Sequence, residues 1–296
     1  FGVLANMNRG AEGYVEDYMD QNAESNPFYE FFNLCICREG SVETLILNSG
    51  LVDESKYNLN IPSDVEARQR ILNLYSTFVT EKAVDWRVQF FNNFNYTVLV
   101  PSNEAIREAI DNGLPTWDNI FEDYLSSLEN GVLKTAEDSL RIQAKIIYLT
   151  NFVRTHFADK TFFADKSEAN VEQITSSYNN DNGLFVKAFA KRDNGQLQVK
   201  DNTKTGKWIN AVYTTADGRD VKNIMTCDRE CNSKVKDQSM NGKTVVATSY
   251  AVVHLVDGVL NHVQLNEDGT YPDFQKEAEE AEGKAARAYI QKFAIR

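Results

Sequence analysis

The 296-residue sequence has no stretch that approaches the ~20 consecutive apolar residues of a bilayer-spanning helix. The most apolar run, Tyr250 to Leu260, is interrupted by His254 and Asp257. Contact with a membrane is therefore expected only through an anchor outside this sequence, where any export signal would also lie. Basic charge is scarce as well: 31 Lys and Arg face 43 Asp and Glu, for a formal charge of −12. Such a balance repels phosphate backbones, so no nucleic acid partner is expected.

Four cysteines fall into two close pairs, Cys35/Cys37 and Cys227/Cys231. They make no disulfide framework, and neither spacing is the C-x2-C of a structural zinc site. A bridge from Cys227 to Cys231 and unbridged thiols both fit the spacing. The three histidines, His156, His254 and His262, show no H-x3-H and no His-carboxylate cluster, so no metal site is expected. A G-x-S-x-G elbow and a G-x4-G-K phosphate cradle are both missing, which leaves nucleophilic catalysis and nucleotide binding without support. The expectation is a protein without a cofactor and without catalytic activity.

Residues 1–27 are polar and broken by Gly10, Gly13 and Pro27, the pattern of a linker or the tail of a preceding module. Apolar residues at helical spacing follow from Phe28 to Ile46, interrupted at Gly40, with Gly50 placed to end the segment. A second helical region is expected from about Asp64 to Phe91, entered after Pro62 and carrying Trp86, Phe90 and Phe91 in its second half. Tyr96–Val100 reads as a strand stopped by Pro101, and Ser102 as the N-cap of a helix over Asn103–Ile110. Two more apolar stripes, Ile120 to Leu128 and Ile142 to Phe157, predict further helices. The second half differs: Leu184–Lys191 and Gln196–Lys200 are joined by Asn194-Gly195, a strong hairpin signal, and Trp208–Thr214 and Arg219–Met225 flank Asp217-Gly218. Helices first and antiparallel strands later indicate an α+β fold.

Three segments in this order resemble the fasciclin family. The first is Tyr96-Thr97-Val98-Leu99-Val100-Pro101-Ser102-Asn103-Glu104-Ala105-Ile106, similar to the family's strand, proline and capped helix. The second is Asn151–Phe163, where His156 matches the histidine of a Tyr-His pair but Thr155 stands in place of the tyrosine. The third is Val252-Val253-His254-Leu255-Val256-Asp257-Gly258-Val259-Leu260, preceded by Tyr250-Ala251 and followed by Asn261-His262 where the family has Asn-Gly and Leu-Pro. The resemblance implies a fasciclin-like β-wedge of mostly antiparallel strands flanked by a helical layer. It places the domain at 28–265 with insertions near 51–94 and 200–241. Beyond it, the acidic-then-basic charge order that follows Pro272 and Asp273 suits a helix dipole, so a helix is expected within 266–296.

On this reading Thr97, Pro101, Ser102, Asn103, Ala105, His156, His254, Asp257 and Gly258 are structural residues. Three residues apart on a strand, His254 and Asp257 point to opposite faces and cannot form an acid/base dyad. His254 is expected half-buried between Val252 and Val256, Asp257 to hold backbone amides at a bend, and His156 to cap carbonyls at a helix C-terminus. The family resemblance implies adhesion or ligand capture outside the cytoplasm, at a cell surface or in a periplasm, anchored to an outer membrane. The partner would be a protein or glycan met through surface loops, with further fasciclin-like modules in the same chain. A different function fits too: a glycan- or small-molecule-capturing accessory subunit of an envelope uptake system, with Trp117, Trp208 and tyrosines lining a groove. A hydrolase would need a nucleophile and base brought together only by the fold.

Overall fold

The structure is a computed structural model, and it describes residues 9–14, 26–35, 42–72, 95–158, 160–164, 171–179, 185–227, 239–240, 243–244 and 250–273. In chain order its strands are β1 (Arg9–Tyr14), β2 (Asn95–Pro101), β3 (Leu128–Glu129), β4 (Val132–Leu133), β5 (Phe157–Ala158), β6 (Glu172–Asn179), β7 (Phe185–Asp193), β8 (Gln196–Asp201), β9 (Ile209–Val212), β10 (Ile224–Cys227), β11 (Ser239–Met240), β12 (Lys243–Thr244) and β13 (Tyr250–Val256). Among the described residues the α-helices are α1 (Tyr29–Cys35), α2 (Val42–Asn48), α3 (Pro62–Leu72), α4 (Asn103–Asp111), α5 (Trp117–Ser126) and α6 (Ala136–Thr155), with a 3-10 turn at Glu54–Lys56. The α+β class follows directly.

Local chemistry explains most boundaries. Gly50, at φ 75°, takes the left-handed position after α2, and Gly50 N and Leu51 N close on the carbonyls of Leu47 and Ile46. Ser102, Thr116 and Thr135 cap α4, α5 and α6, each accepting from the backbone N–H three residues on. Asn194 and Gly195, at φ 51° and 80°, form the two-residue turn of the β7–β8 hairpin. At Asp217-Gly218 the turn forms, but only Thr214 and Asp220 bridge across it. The flanking strands then diverge, β9 to β8 and β10 to β13.

The main sheet has nine strands in the order β1-β10-β13-β2-β5-β6-β7-β8-β9, and β9 also pairs with β13. On one side β13 is covered first by β10, through Ile224 to Cys227, and then by β9, through Ala211 and Val212. On its other side β13 runs parallel to β2 from Tyr250↔Asn95 to Val256↔Pro101. The ring from β13 through β2, β5, β6, β7, β8 and β9 is thereby nearly closed, leaving β10 and β1 as an outward extension. Apart from β1–β10 and β13–β2 the pairings of this sheet are antiparallel. Arg9–Tyr14, inside the stretch expected to be a linker, is thus a sheet strand.

Closure gives the sheet two different faces. Tyr96, Val98, Val100, Val253 and Leu255 face the helices and join Phe31, Phe32, Ile106, Ile146, Phe152 and Phe157 in the larger core. Each of these fully buried side chains contributes about 1.5–3 kcal/mol of burial free energy. Leu99, Ala158, Phe162, Ile174, Ala188, Ala190, Val199, Val256 and Leu260 fill the inside of the ring. Its alanines fit a narrow interior, where longer side chains from both walls would collide. Opposite faces of β2 and β13 therefore enter different cores, and the centre of the sheet is buried on both sides.

The helical layer is pinned by charge as well as packing. Arg141 of α6 forks onto Asp123 of α5 with two 3.0 Å bonds, Lys145 reaches the same carboxylate at 2.6 Å, and Asp138 holds Arg141 at 2.7 Å. Burial would raise the Asp123 pKa, but the Arg141 and Lys145 hydrogen bonds and charges outweigh it and hold the carboxyl below its ordinary range. Expected elements at 73–94, including Trp86, Phe90 and Phe91, and the helix beyond Asp273 lie outside the described residues. Within 266–273 the chain is turn and irregular structure rather than helix.

Candidate functional site

The three resembling segments meet at one junction, where β2, the end of α6, the strand β5 and β13 converge. β2 and β13 align Val252 with Thr97 and His254 with Leu99. The Thr97 hydroxyl donates to the Lys160 carbonyl at 2.7 Å and accepts from Phe162 N–H at 2.9 Å. His254 donates from Nε2 to the Phe162 carbonyl at 2.8 Å, since a carbonyl can only accept. The segment after β5 is thus fastened to both central strands by side chains pointing into the ring.

His156 ties the other end. It is the C-cap of α6, and its Nδ1 lies 2.9 Å from the Phe152 carbonyl while Leu260 N–H donates to its Nε2 at 3.0 Å. Because the amide of Leu260 must be the donor, Nε2 accepts, so the proton sits on Nδ1 and goes to Phe152. The backbone continues the link, with Leu99 N–H donating to the His156 carbonyl at 2.8 Å. One neutral imidazole therefore joins the last turn of α6 to the loop after β13.

The remaining motif residues complete the frame. Ser102 N–H donates to the Val256 carbonyl at 2.8 Å, and the Ser102 hydroxyl accepts from Ala105 N–H at the start of α4. Pro101 closes the β2–β13 register opposite Val256, where its missing N–H ends the ladder. Asn103 accepts from Glu30 N–H and donates to the Asn26 carbonyl, anchoring the chain entering α1. Asp257 leaves the strand exposed, and its carboxylate accepts from Asn210 N–H at 2.7 Å and Asn210 Nδ2 at 2.8 Å. The partner is one asparagine on β9, which meets the carboxylate through both its backbone amide and its side chain. Gly258 lies against Ile209, whose Cγ2 would stand 2.6 Å from an added Cβ. Gly258→Ala should therefore destabilise the protein by about 1–3 kcal/mol through overpacking, read as a lowered urea midpoint. Combining it with Ile209→Ala should restore part of the loss by removing the colliding methyl.

His254 is 1% exposed, not half-buried as its alternating pattern suggests, because the closed ring covers the face that an open sheet would leave wet. Its four nearest strand neighbours, Val252, Val253, Leu255 and Val256, are buried too. His262 is also fully buried and packs its ring on Tyr148 at a centroid distance of 4.4 Å. Burial pushes His156 down to about 4, partly offset by its bond to Phe152. His262 goes to about 3, through burial first and the nearby charge of His156 second. Among the described residues no three of His, Cys, Asp or Glu gather to hold a metal. Trp117 does not line a groove: it is 3% exposed and donates its indole N–H to the Leu34 carbonyl at 2.8 Å. Trp208 is half-buried.

Two supports were not read from the sequence. Asp201, buried at the end of β8, accepts from Thr203 and from Asn261 N–H, and Tyr271 donates to the Asn261 side chain at 2.7 Å. The Asp-x-Thr spacing of Asp201 and Thr203 was the available signal, since such pairs close short turns on themselves.

Fold and junction together define a mostly antiparallel, nearly closed sheet with helices against one face, in which His156 and His254 are buried and bonded to backbone groups. No protein-family model matches the chain, and no curated protein matches it. Among solved structures it is similar to a FAS1 domain pair from the insect cell adhesion molecule fasciclin I, at 13% identity and a TM-score of 0.29. The match covers 61% of this chain and 41% of that one, less than half of the neighbour's length. Among the described residues no helix is long and apolar enough to cross a membrane.

Proposed function

We propose that the protein is a non-catalytic, extracytoplasmic binding and adhesion module built on a fasciclin-like wedge, which recognises a protein or glycan of the cell surface. One observation carries this reading: the residues that a chemist would first suspect of catalysis, His156 and His254, are buried and bonded to backbone carbonyls and amides. Their chemistry is spent on the scaffold, which leaves recognition to exposed strands and loops. The module sits at the cell surface or in a periplasm, held to an outer membrane by an anchor outside this sequence and accompanied by further similar modules.

The second reading, a glycan-capturing accessory subunit of an envelope uptake system, is favoured by Trp208, whose half-buried ring carries the Lys191 ammonium at 4.6 Å. Purified protein presented to immobilised glycans and to cell-envelope fractions should bind one class of surface saturably and leave it chemically unchanged. Release of new reducing ends, acids or amines without saturable binding would defeat both readings.

A further inference from the structure

Ring closure gives β7 and β8 an inner face of Ala188, Ala190, Leu197 and Val199 and an outer face turned to solvent. Alternation places Lys187, Phe189 and Lys191 of β7, and Gln196, Gln198 and Lys200 of β8, on that outer face. The registers set them in rows across the strands, Gln173, Phe189 and Lys200 in one and Lys191, Gln198 and Asn210 in the next. Gln198 donates to Asn210 at 2.8 Å, so the amides form a fixed rank rather than a mobile fringe. Trp208 immediately precedes β9 and joins this face through the Lys191 ammonium, 4.6 Å from its ring centroid.

The charge here opposes that of the chain. Residues 185–212 carry six basic side chains against two acidic ones, in a protein whose formal charge is −12. Of the eight, Arg192 and Asp201 are buried, which leaves five lysines and Asp193 from this stretch, and the exposed Asp257 carboxylate meets the face where it is bonded to Asn210. Lys204 and Lys207 lie exposed on the loop leading to Trp208. Asp193 reaches Lys191 only at 3.8 Å, a weak claim on an ammonium in water.

A ligand that complements such a face needs an apolar C–H surface for the indole, hydroxyl groups for the amides and carboxylates for the lysines. We propose that the outer face of β7, β8 and the start of β9, centred on Trp208, binds an acidic polysaccharide of uronic acid units. The proposal rests on the binding-module reading above and deepens it. An acidic polypeptide would satisfy the lysines, but the half-buried Trp208 ring and the rank of amides are the features that suit stacked, hydroxylated sugars.

Calorimetric titration of the full chain with polygalacturonate, alginate, neutral dextran and poly-L-glutamate tests it. Both polyuronates should bind, more weakly as salt is raised, and dextran and poly-L-glutamate should bind at least roughly tenfold less tightly. Trp208→Leu, and separately the pair Lys191→Gln with Lys200→Gln, should each weaken polyuronate binding by roughly tenfold without moving the melting temperature. If Trp208→Leu disturbs folding, the lysine pair on the surface decides. Failure of both polyuronates to bind overturns the proposal. Equal binding of poly-L-glutamate also overturns it and points to an acidic protein partner. Polyuronate binding that survives the lysine substitutions removes this face as the site but leaves the module reading intact, whereas cleavage of the polyuronate defeats the module reading itself.

Discussion

Replacing His156 with leucine should lower the unfolding free energy by about 3 kcal/mol and the melting temperature by roughly 10 °C. Leucine keeps the apolar volume beside Phe31 and Phe152, whose rings flank the imidazole at 5.3 and 4.8 Å. The loss is therefore mainly polar. The Leu260 N–H loses its acceptor and the Phe152 carbonyl loses the imidazole donor, and a buried group stripped of its partner costs about 1–3 kcal/mol. Both lost contacts lie at the one point where the C-terminus of α6 meets the loop after β13. His156→Gln, whose amide oxygen can take the place of Nε2, should recover part of the loss. Chemical denaturation of the three proteins measures the difference, and a leucine variant as stable as the parent would sink the assignment of His156 as the tie.

Much of this junction was legible because its elements are local. Ser102 followed by Asn103 and Glu104 after a β-prone run can hardly be other than a strand, a stop and a capped helix, and β2 and α4 form there. Asn194-Gly195 likewise dictates a hairpin, because both residues accept positive φ. What failed depends on residues far apart in sequence. Nothing near His254 says that β9 returns to pair with β13 and seal the ring, so its complete burial could not be read from Val252 to Val256. The partner of Asp257 is Asn210, forty-seven residues away, and no local pattern joins them. Arg9–Tyr14 was misjudged for the same reason: a polar, glycine-containing edge strand is recruited by β10, which supplies the hydrogen bonds its own sequence does not advertise. Trp117 and Trp208 show the limit for the candidate site. Both are isolated tryptophans in sequence, and only the fold puts one under α1 and the other beside Lys191.

Acid should weaken the protein well before its carboxylates titrate. In the unfolded chain both His156 and His262 take up protons near the ordinary value of about 6.5, whereas in the fold they resist to about 4 and about 3. Between those limits the unfolded state binds more protons, so stability rises with pH. The contribution of the two neutral rings is full above about 6.5 and is lost as pH falls toward the folded values. Each ring costs about 1.4 kcal/mol per pH unit within its window, so roughly 4 kcal/mol should disappear between pH 7 and pH 5. Asp123 and Asp138, also held below their ordinary values, add their losses only below about pH 5, where unfolded carboxylates begin to protonate. Urea unfolding at pH 7, 6 and 5 isolates the histidines. The slope should fall by about half in His156→Gln, and a stability that is flat from pH 7 to pH 5 would mean that the rings are not buried in their neutral form.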